Sequence, residues 1–201
     1  MKELKIGICG WGNVATGLYR SLNEHAQIIS ANSGTNISVE VIGARRDNPK
    51  CDSGSTKIVR DIFEVSKYDI DVVVELIGGV DTARELILEA IKNKKHVVTA
   101  NKAVIYHHGD EIFSAARING VKVLYEAAVC AGTPIVKLLK EELAANNISK
   151  ISGMLNGTSN FILSNMEEGS EFMSTLELAQ QEGYAEPDPT FDIEGMDAAH
   201  K

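Results

Sequence analysis

The stretch Lys5-Ile6-Gly7-Ile8-Cys9-Gly10-Trp11-Gly12-Asn13-Val14-Ala15-Thr16-Gly17-Leu18-Tyr19 decides the fold class. Ile6 to Cys9 reads as a short buried strand. Gly10 and Gly12 make a tight turn, and a helical pattern starts at Asn13, with Val14, Leu18 and Leu22 at helical spacing. In this strand, Gly-x-Gly-x-x-Ala, helix arrangement the first glycine permits the turn. The second lets the backbone approach a pyrophosphate, and Ala15 lets the helix pack close on the strand. The free N–H groups and partial positive charge of the helix N-terminus suit phosphate. Gly-x-Gly also occurs in ordinary turns, so the rest of the chain has to supply the context.

Outward from this stretch, the pattern alternates between strands and helices. Ile37 to Ala44 is expected to be a second strand. Its end carries Arg45-Arg46-Asp47, where an acid that binds a ribose 2′-hydroxyl is usual. Two guanidiniums there suit a 2′-phosphate, which favours NADP over NAD. Asp47 could still serve a ribose. A short helix is expected over Ile58–Val65. Asp71 to Ile77 is a near-continuous apolar run, the signature of a parallel strand covered on both faces, and Gly78-Gly79 follows at its ligand-binding end. A helix from Asp81 or Thr82 through Asn93, a strand at His96–Thr99, a helix over Glu111–Asn119 and a strand at Val121–Tyr125 continue the alternation. The expected fold is therefore α/β, a Rossmann-type, doubly wound, mostly parallel sheet over residues 1–132.

The texture changes near Gly132-Thr133-Pro134, and residues 133–201 are expected to open a second, α+β domain. A helix over Ile135–Ala145, a strand over Ile148–Leu155, and helices ending at Met166 and spanning Thr175–Gln181 are expected there. Gly183 to Pro189 cannot be a helix interior, because two prolines and a glycine interrupt it.

Composition excludes several function classes. A net charge of −8 argues against a nucleic-acid partner, which needs clustered Lys and Arg. No apolar run approaches the ~20 residues that span a bilayer. The N-terminus enters a strand at once, so no signal peptide is expected, and Cys9, Cys51 and Cys130 read as reduced thiols of a cytoplasmic protein. The histidines lack transition-metal spacing.

Lys102 follows a strand at the ligand-binding edge of the sheet, where a lysine can transfer protons or contact phosphate. Glu186, Asp188, Asp192, Glu194 and Asp197 form an acidic segment closed by Lys201. Such a segment is either a solvated loop or a site for a cationic amine with a proton-transfer pair. If Gly195 starts a helix, Asp197 and Lys201 share a face.

Several stretches together resemble homoserine dehydrogenase. They are Gly10–Ala15, Asp71–Gly79, Val97–Lys102, Glu126–Pro134, Gly153–Asn160, Gly183–Thr190 and Gly195–Lys201, in family order. The resemblance implies interconversion of L-homoserine and L-aspartate 4-semialdehyde with NADP or NAD. It implies cofactor contacts at Gly10, Gly12, Asn13, Val14, Arg45, Arg46, Gly78 and Lys102. Lys102 and Lys201 would be the proton-transfer pair. Gly157, Thr158, Tyr184, Glu186 and Asp197 would bind the substrate. Backbone carbonyls of Glu126, Val129, Ala131 and Thr133 would hold a sodium ion, although Cys130-Ala131 occupies a segment that is more often glycine-rich. The family also implies a homodimer at full length and more chain after Lys201. This chain alone is therefore expected to bind NADP(H) weakly and turn over poorly. A nucleotide-binding module without turnover is the alternative from another class.

Overall fold

The computed structural model describes residues 2–201. These residues form two compact units that divide between Gly132 and Thr133.

The first unit is a sheet with helices on both faces. Its elements are β1 (Lys2–Cys9), α1 (Asn13–Glu24), α2 (Ala26–Ser33), β2 (Thr35–Gly43), β3 (Lys57–Val59), β4 (Val72–Glu75), α3 (Asp81–Lys92), β5 (His96–Thr99), α4 (Lys102–Asn119), β6 (Val123–Leu124) and α5 (Glu126–Val129). The six strands lie in the order β3-β2-β1-β4-β5-β6, and every neighbouring pair is parallel. The order reverses between β1 and β4, so the loops after these two strands diverge at the C-terminal edge. That is where open α/β sheets hold ligands.

Strand periodicity divides the core. Ile6, Ile8, Val72, Val74 and Ile42 pack with Trp11 and Ala15 in one cluster. Cys9, Val41, Val73 and Val97 pack with Leu86, Ile87, Ile91, Val104 and Ile112 in the other. Side chains alternate between the faces of a strand, so one apolar run serves both layers. Along α1 the contact side is Ala15, Leu18, Tyr19 and Leu22. Val14, expected at the same helical spacing, is 62% exposed.

Two local expectations fail in this unit. Residues 58–65 do not form one helix: β3 comes first, and a 3₁₀ helix follows over Ile62–Lys67. β2 pairs Val41, Ile42 and Gly43 with Lys57, Ile58 and Val59, and that sheet edge overrides the local pattern. The helix expected from Glu111 begins earlier, at Lys102, capped by the Asn101 side chain accepting from Val104 N–H at 3.2 Å.

The second unit is helical among the described residues. It contains α6 (Ile135–Lys137) running into a π-helical turn at Leu138–Glu142, then α7 (Gly157–Glu167), α8 (Phe172–Gln181), α9 (Thr190–Ile193) and α10 (Met196–Ala199). Its small core is Ile162, Leu176, Ala179 and Ala185. The strand expected over Ile148–Leu155 does not form. A strand needs a partner for its N–H and C=O groups, and no other strand is present among the described residues of this unit. Ile151 and Met154 of that segment stand 66% and 55% exposed.

Candidate active site

The glycine turn after β1 is shaped by close approach. Gly10 has φ +103°, and a Cβ there would lie 2.5 Å from the Leu76 carbonyl oxygen. Its N–H donates to Gly43 O at 2.8 Å, so the turn is tied to the ends of both neighbouring strands. Gly12 differs: a Cβ there would meet nothing within 4 Å. Packing therefore does not demand glycine at this position, and the space is open on the ligand side. Gly12 is the N-cap of α1, no side chain caps it, and the first turn carries no acid. The leading N–H groups of α1 are left for an anion.

A groove of about 950 Å³ opens beside this turn, lined by Gly10, Gly12, Asn13, Arg45, Arg46 and Gly78 among others. Six of the expected cofactor residues thus share one cavity. Val14 and Lys102 are not on its lining. The loop that carries the arginines is held from both sides. Asn48 donates to Trp11 O and to Thr16 Oγ1, both at 2.9 Å. Arg20 donates to Lys50 O at 2.7 Å. Arg45 and Arg46 themselves are exposed and take part in no ion pair among the described residues.

Across the sheet edge stands a buried carboxylate that the sequence reading did not single out. Glu75 ends β4 with no exposed surface. It accepts from Ile77 N–H at 2.9 Å and from the Thr99 hydroxyl. Thr99 Oγ1 accepts from Asn101 N–H at 3.0 Å, and Asn101 Nδ2 donates to Gly79 O at 2.6 Å. This chain fixes the Gly78-Gly79 loop and the start of α4, and hence the backbone at Lys102. Glu75 also joins burial, the larger cause, in pushing the Cys9 thiol far above its ordinary range. Cys9 and Cys51 are buried free thiols. An acid inside an otherwise apolar run was the one available signal for Glu75.

In the second unit the organising residue is Asn156, which is 5% exposed. Its Oδ1 caps α7 by accepting from Ser159 N–H at 2.7 Å. Its Nδ2 donates to Asp192 Oδ1 at 2.7 Å and to Asp197 Oδ2 at 2.8 Å. Thr158 Oγ1 donates to Tyr184 O and lies 3.2 Å from Asp192 Oδ2. Lys201 Nζ donates to Leu155 O and sits 3.2 Å from Asp197 Oδ2. Asp197 and Lys201 are paired through the turn of α10, which begins after Gly195 as the helix spacing requires. Thr158, Asp197 and Lys201 thus share one network with Asn156 and Asp192. The Tyr184 ring lies outward, 55% exposed and stacked on Phe161 with centroids 4.6 Å apart. Glu186 is exposed and is not hydrogen-bonded into this network; its backbone O accepts from Gln180 Nε2 at 3.1 Å, and Gly157 starts α7. Asp192 and Asn156 are the polar centre here. In the sequence they stood only as one acid of a cluster and one residue of the Gly153–Asn160 stretch.

Glu126 and Val129 bound the short helix α5, and Ala131 and Thr133 are exposed in the chain after it. The described residues contain no group of three or more metal-ligating side chains, so a cation there would rest on carbonyl oxygens. No helix among them is long and apolar enough to cross a membrane.

A parallel sheet with an open glycine turn at its switch point, beside a cationic groove, defines a dinucleotide-binding protein. The family model for the homoserine dehydrogenase NAD-binding domain matches residues 10–126, and that for homoserine dehydrogenase matches residues 134–201. The chain belongs to the homoserine dehydrogenase family. Homoserine dehydrogenase of Pseudomonas aeruginosa is 56% identical over 100% of this chain and 47% of its own length. The crystal structure of a homoserine dehydrogenase from Thiobacillus denitrificans superimposes with TM-score 0.91 at 48% identity, over 100% of this chain and 47% of that one. A hyperthermophilic archaeal homoserine dehydrogenase, solved in complex with NADPH, matches with TM-score 0.82 at 28% identity, over 99% of this chain and 67% of that one. The chain spans about half the length of the curated relatives it matches.

Proposed function

We propose that this chain is the cofactor domain and the opening of the catalytic domain of an NADP-dependent homoserine dehydrogenase. The observation that carries the reading is the uncapped N-terminus of α1 facing a groove with Arg45 and Arg46 on its wall, in a chain of this family. The residues present fit the cofactor: Gly12 leaves space, α1 offers N–H groups to the pyrophosphate, and the arginines suit a 2′-phosphate. When bound, NADP supplies the hydride chemistry between L-homoserine and L-aspartate 4-semialdehyde.

The protein's own part is orientation and proton handling. Lys102, at the first position of α4, and Lys201 form the proton-transfer pair. Hydride removal from an alcohol requires loss of the hydroxyl proton, and a positioned amine accepts it. Lys201 Nζ is held by Leu155 O and Asp197, and an ammonium has a further donor for a developing alkoxide. Asp197 and Glu186 hold the substrate ammonium, with Gly157, Thr158 and Tyr184 lining the same site. The reading extends to a sodium ion on the carbonyls of Glu126, Val129, Ala131 and Thr133, and to a homodimeric enzyme in the cytoplasm.

The test is homoserine-dependent reduction of NADP and NAD by the full-length protein, repeated with Lys102→Ala and Lys201→Ala. Each substitution is expected to lower kcat by roughly 10²–10⁴-fold. Undiminished rates in both would remove the proton-transfer assignment, and binding of NADPH without turnover would leave a nucleotide-binding module.

A further inference from the structure

We infer that Arg60 is the residue that sets coenzyme preference, acting both on the 2′-phosphate and on Asp47. The inference rests on the proposed dinucleotide site. β2 and β3 are parallel and in register, with Gly43 opposite Val59, and Val59 O accepts from Ala44 N–H at 2.9 Å. Arg60 therefore leaves the sheet beside Ala44, next to Arg45 at the same edge, and lines the same groove. Its Nη1 donates to Ala44 O at 3.3 Å, which aims the guanidinium along the end of β2. Its Nη2 donates to Asp47 Oδ1 at 2.8 Å.

The second contact bears on specificity. A ribose with a free 2′-hydroxyl is recognised by a carboxylate at the end of the second strand. Asp47 is the carboxylate at that end, and Arg60 holds it. The other acid on the groove wall, Asp61, is occupied as well, its carboxylate accepting from Phe63 N–H at 2.9 Å. Each acid thus has one oxygen engaged within the protein, while Arg45, Arg46, Lys50 and Arg60 present four cations to the groove. The side chains of Arg60 and Asp47 are 57% and 75% exposed. An ion pair this open is weak, so a doubly charged phosphate competes for the guanidinium, and its bidentate fork suits that ligand.

The experiment titrates the protein with NADPH and with NADH and follows the fluorescence of Trp11, the one tryptophan, which lines the groove. Wild type, Arg60→Gln and Arg60→Gln with Asp47→Asn are compared. Arg60→Gln is expected to weaken NADPH by about 10- to 100-fold, the loss of a charged contact. NADH should be unchanged or tightened, because Asp47 is released to the ribose. The double variant should lose the NADH gain without recovering NADPH. Equal loss of both coenzymes, or an unchanged ratio, would show a merely structural role and overturn the inference. Recovery of NADPH in the double variant would overturn the direct phosphate contact. If the wild type bound neither coenzyme, the proposed site itself would fall, which is a distinguishable result.

Discussion

Replacing Thr99 by Val tests whether the buried Glu75 carboxylate depends on its hydroxyl partner. The shapes are nearly the same, and Thr99 is fully buried, so packing changes little. The variant removes the hydrogen bond to Glu75 Oε2 and the acceptor for Asn101 N–H. A hydrogen bond to a charged group contributes about 1.5–3 kcal/mol, and a neutral one about 0.5–1.5 kcal/mol. The sum, with Glu75 still buried, is a loss of about 2–4.5 kcal/mol. In urea, at a typical slope of about 2 kcal/mol per molar, the midpoint should fall by about 1–2 M. Trp11 is 8% exposed and sits in the apolar cluster between β1 and α1, so its fluorescence reports this unit directly. Thr99→Ser is the control. It keeps the hydroxyl and loses one methyl group, about 0.8 kcal/mol by area plus any residual cavity cost. A Thr99→Val midpoint no lower than that of Thr99→Ser would refute the claim that the hydroxyl, rather than the packing, holds Glu75.

Gly10→Ala should destabilise the first unit by at least about 1–3 kcal/mol for the positive φ alone, with a further cost from the clash with Leu76 O; calorimetry showing an unchanged Tm would contradict it. Asn156→Ala should remove the α7 cap, at about 0.5–2 kcal/mol, together with the Nδ2 donor shared by Asp192 and Asp197, so the loss should exceed that of the cap alone. Exchange of the Ser159 amide, capped at 2.7 Å, should then speed up several-fold, and an unaltered rate would argue that another group caps the helix. Acid should weaken the protein through three exposed carboxyls. Lys5 holds Asp69 below its ordinary value of 3.8, Arg84 holds Glu111 below 4.5, and the Thr190 hydroxyl and N–H hold Asp188 below 3.8. Depressed folded values stabilise above the ordinary range, and that contribution is lost as pH falls through it and below. Stability measured from pH 6 to pH 3 should decline below about pH 4.5, and the decline should shrink in Arg84→Met.

How much could be read from residues follows from how local each signal is. β1, the glycine turn, the start of α1, β5 and the end of α4 at Asn119 depend on neighbours within a few positions. Hydrophobic runs, small residues at a close approach and left-handed glycines are written in the chain itself. The positions of Arg45, Arg46 and Lys102 at strand ends came with those elements, and so did the i, i+4 pairing of Asp197 with Lys201.

Tertiary structure decided whatever depended on a distant partner. β3 exists because β2 offers it an edge, and Ile148–Leu155 is not a strand because its unit offers none. Arg60 sat unnoticed inside an expected helix until the β2–β3 register set it beside Ala44. Glu75 reads as one acid within an apolar run, and only the Thr99–Asn101 chain from the next strand explains a carboxylate with no exposed surface. Asn156 is one residue of the Gly153–Asn160 stretch in the sequence, yet three chain segments converge on its amide. Backbone conformation follows from nearby residues, whereas the partners of a buried polar group come from elements far apart in sequence. Those partners decide which polar residues become a site.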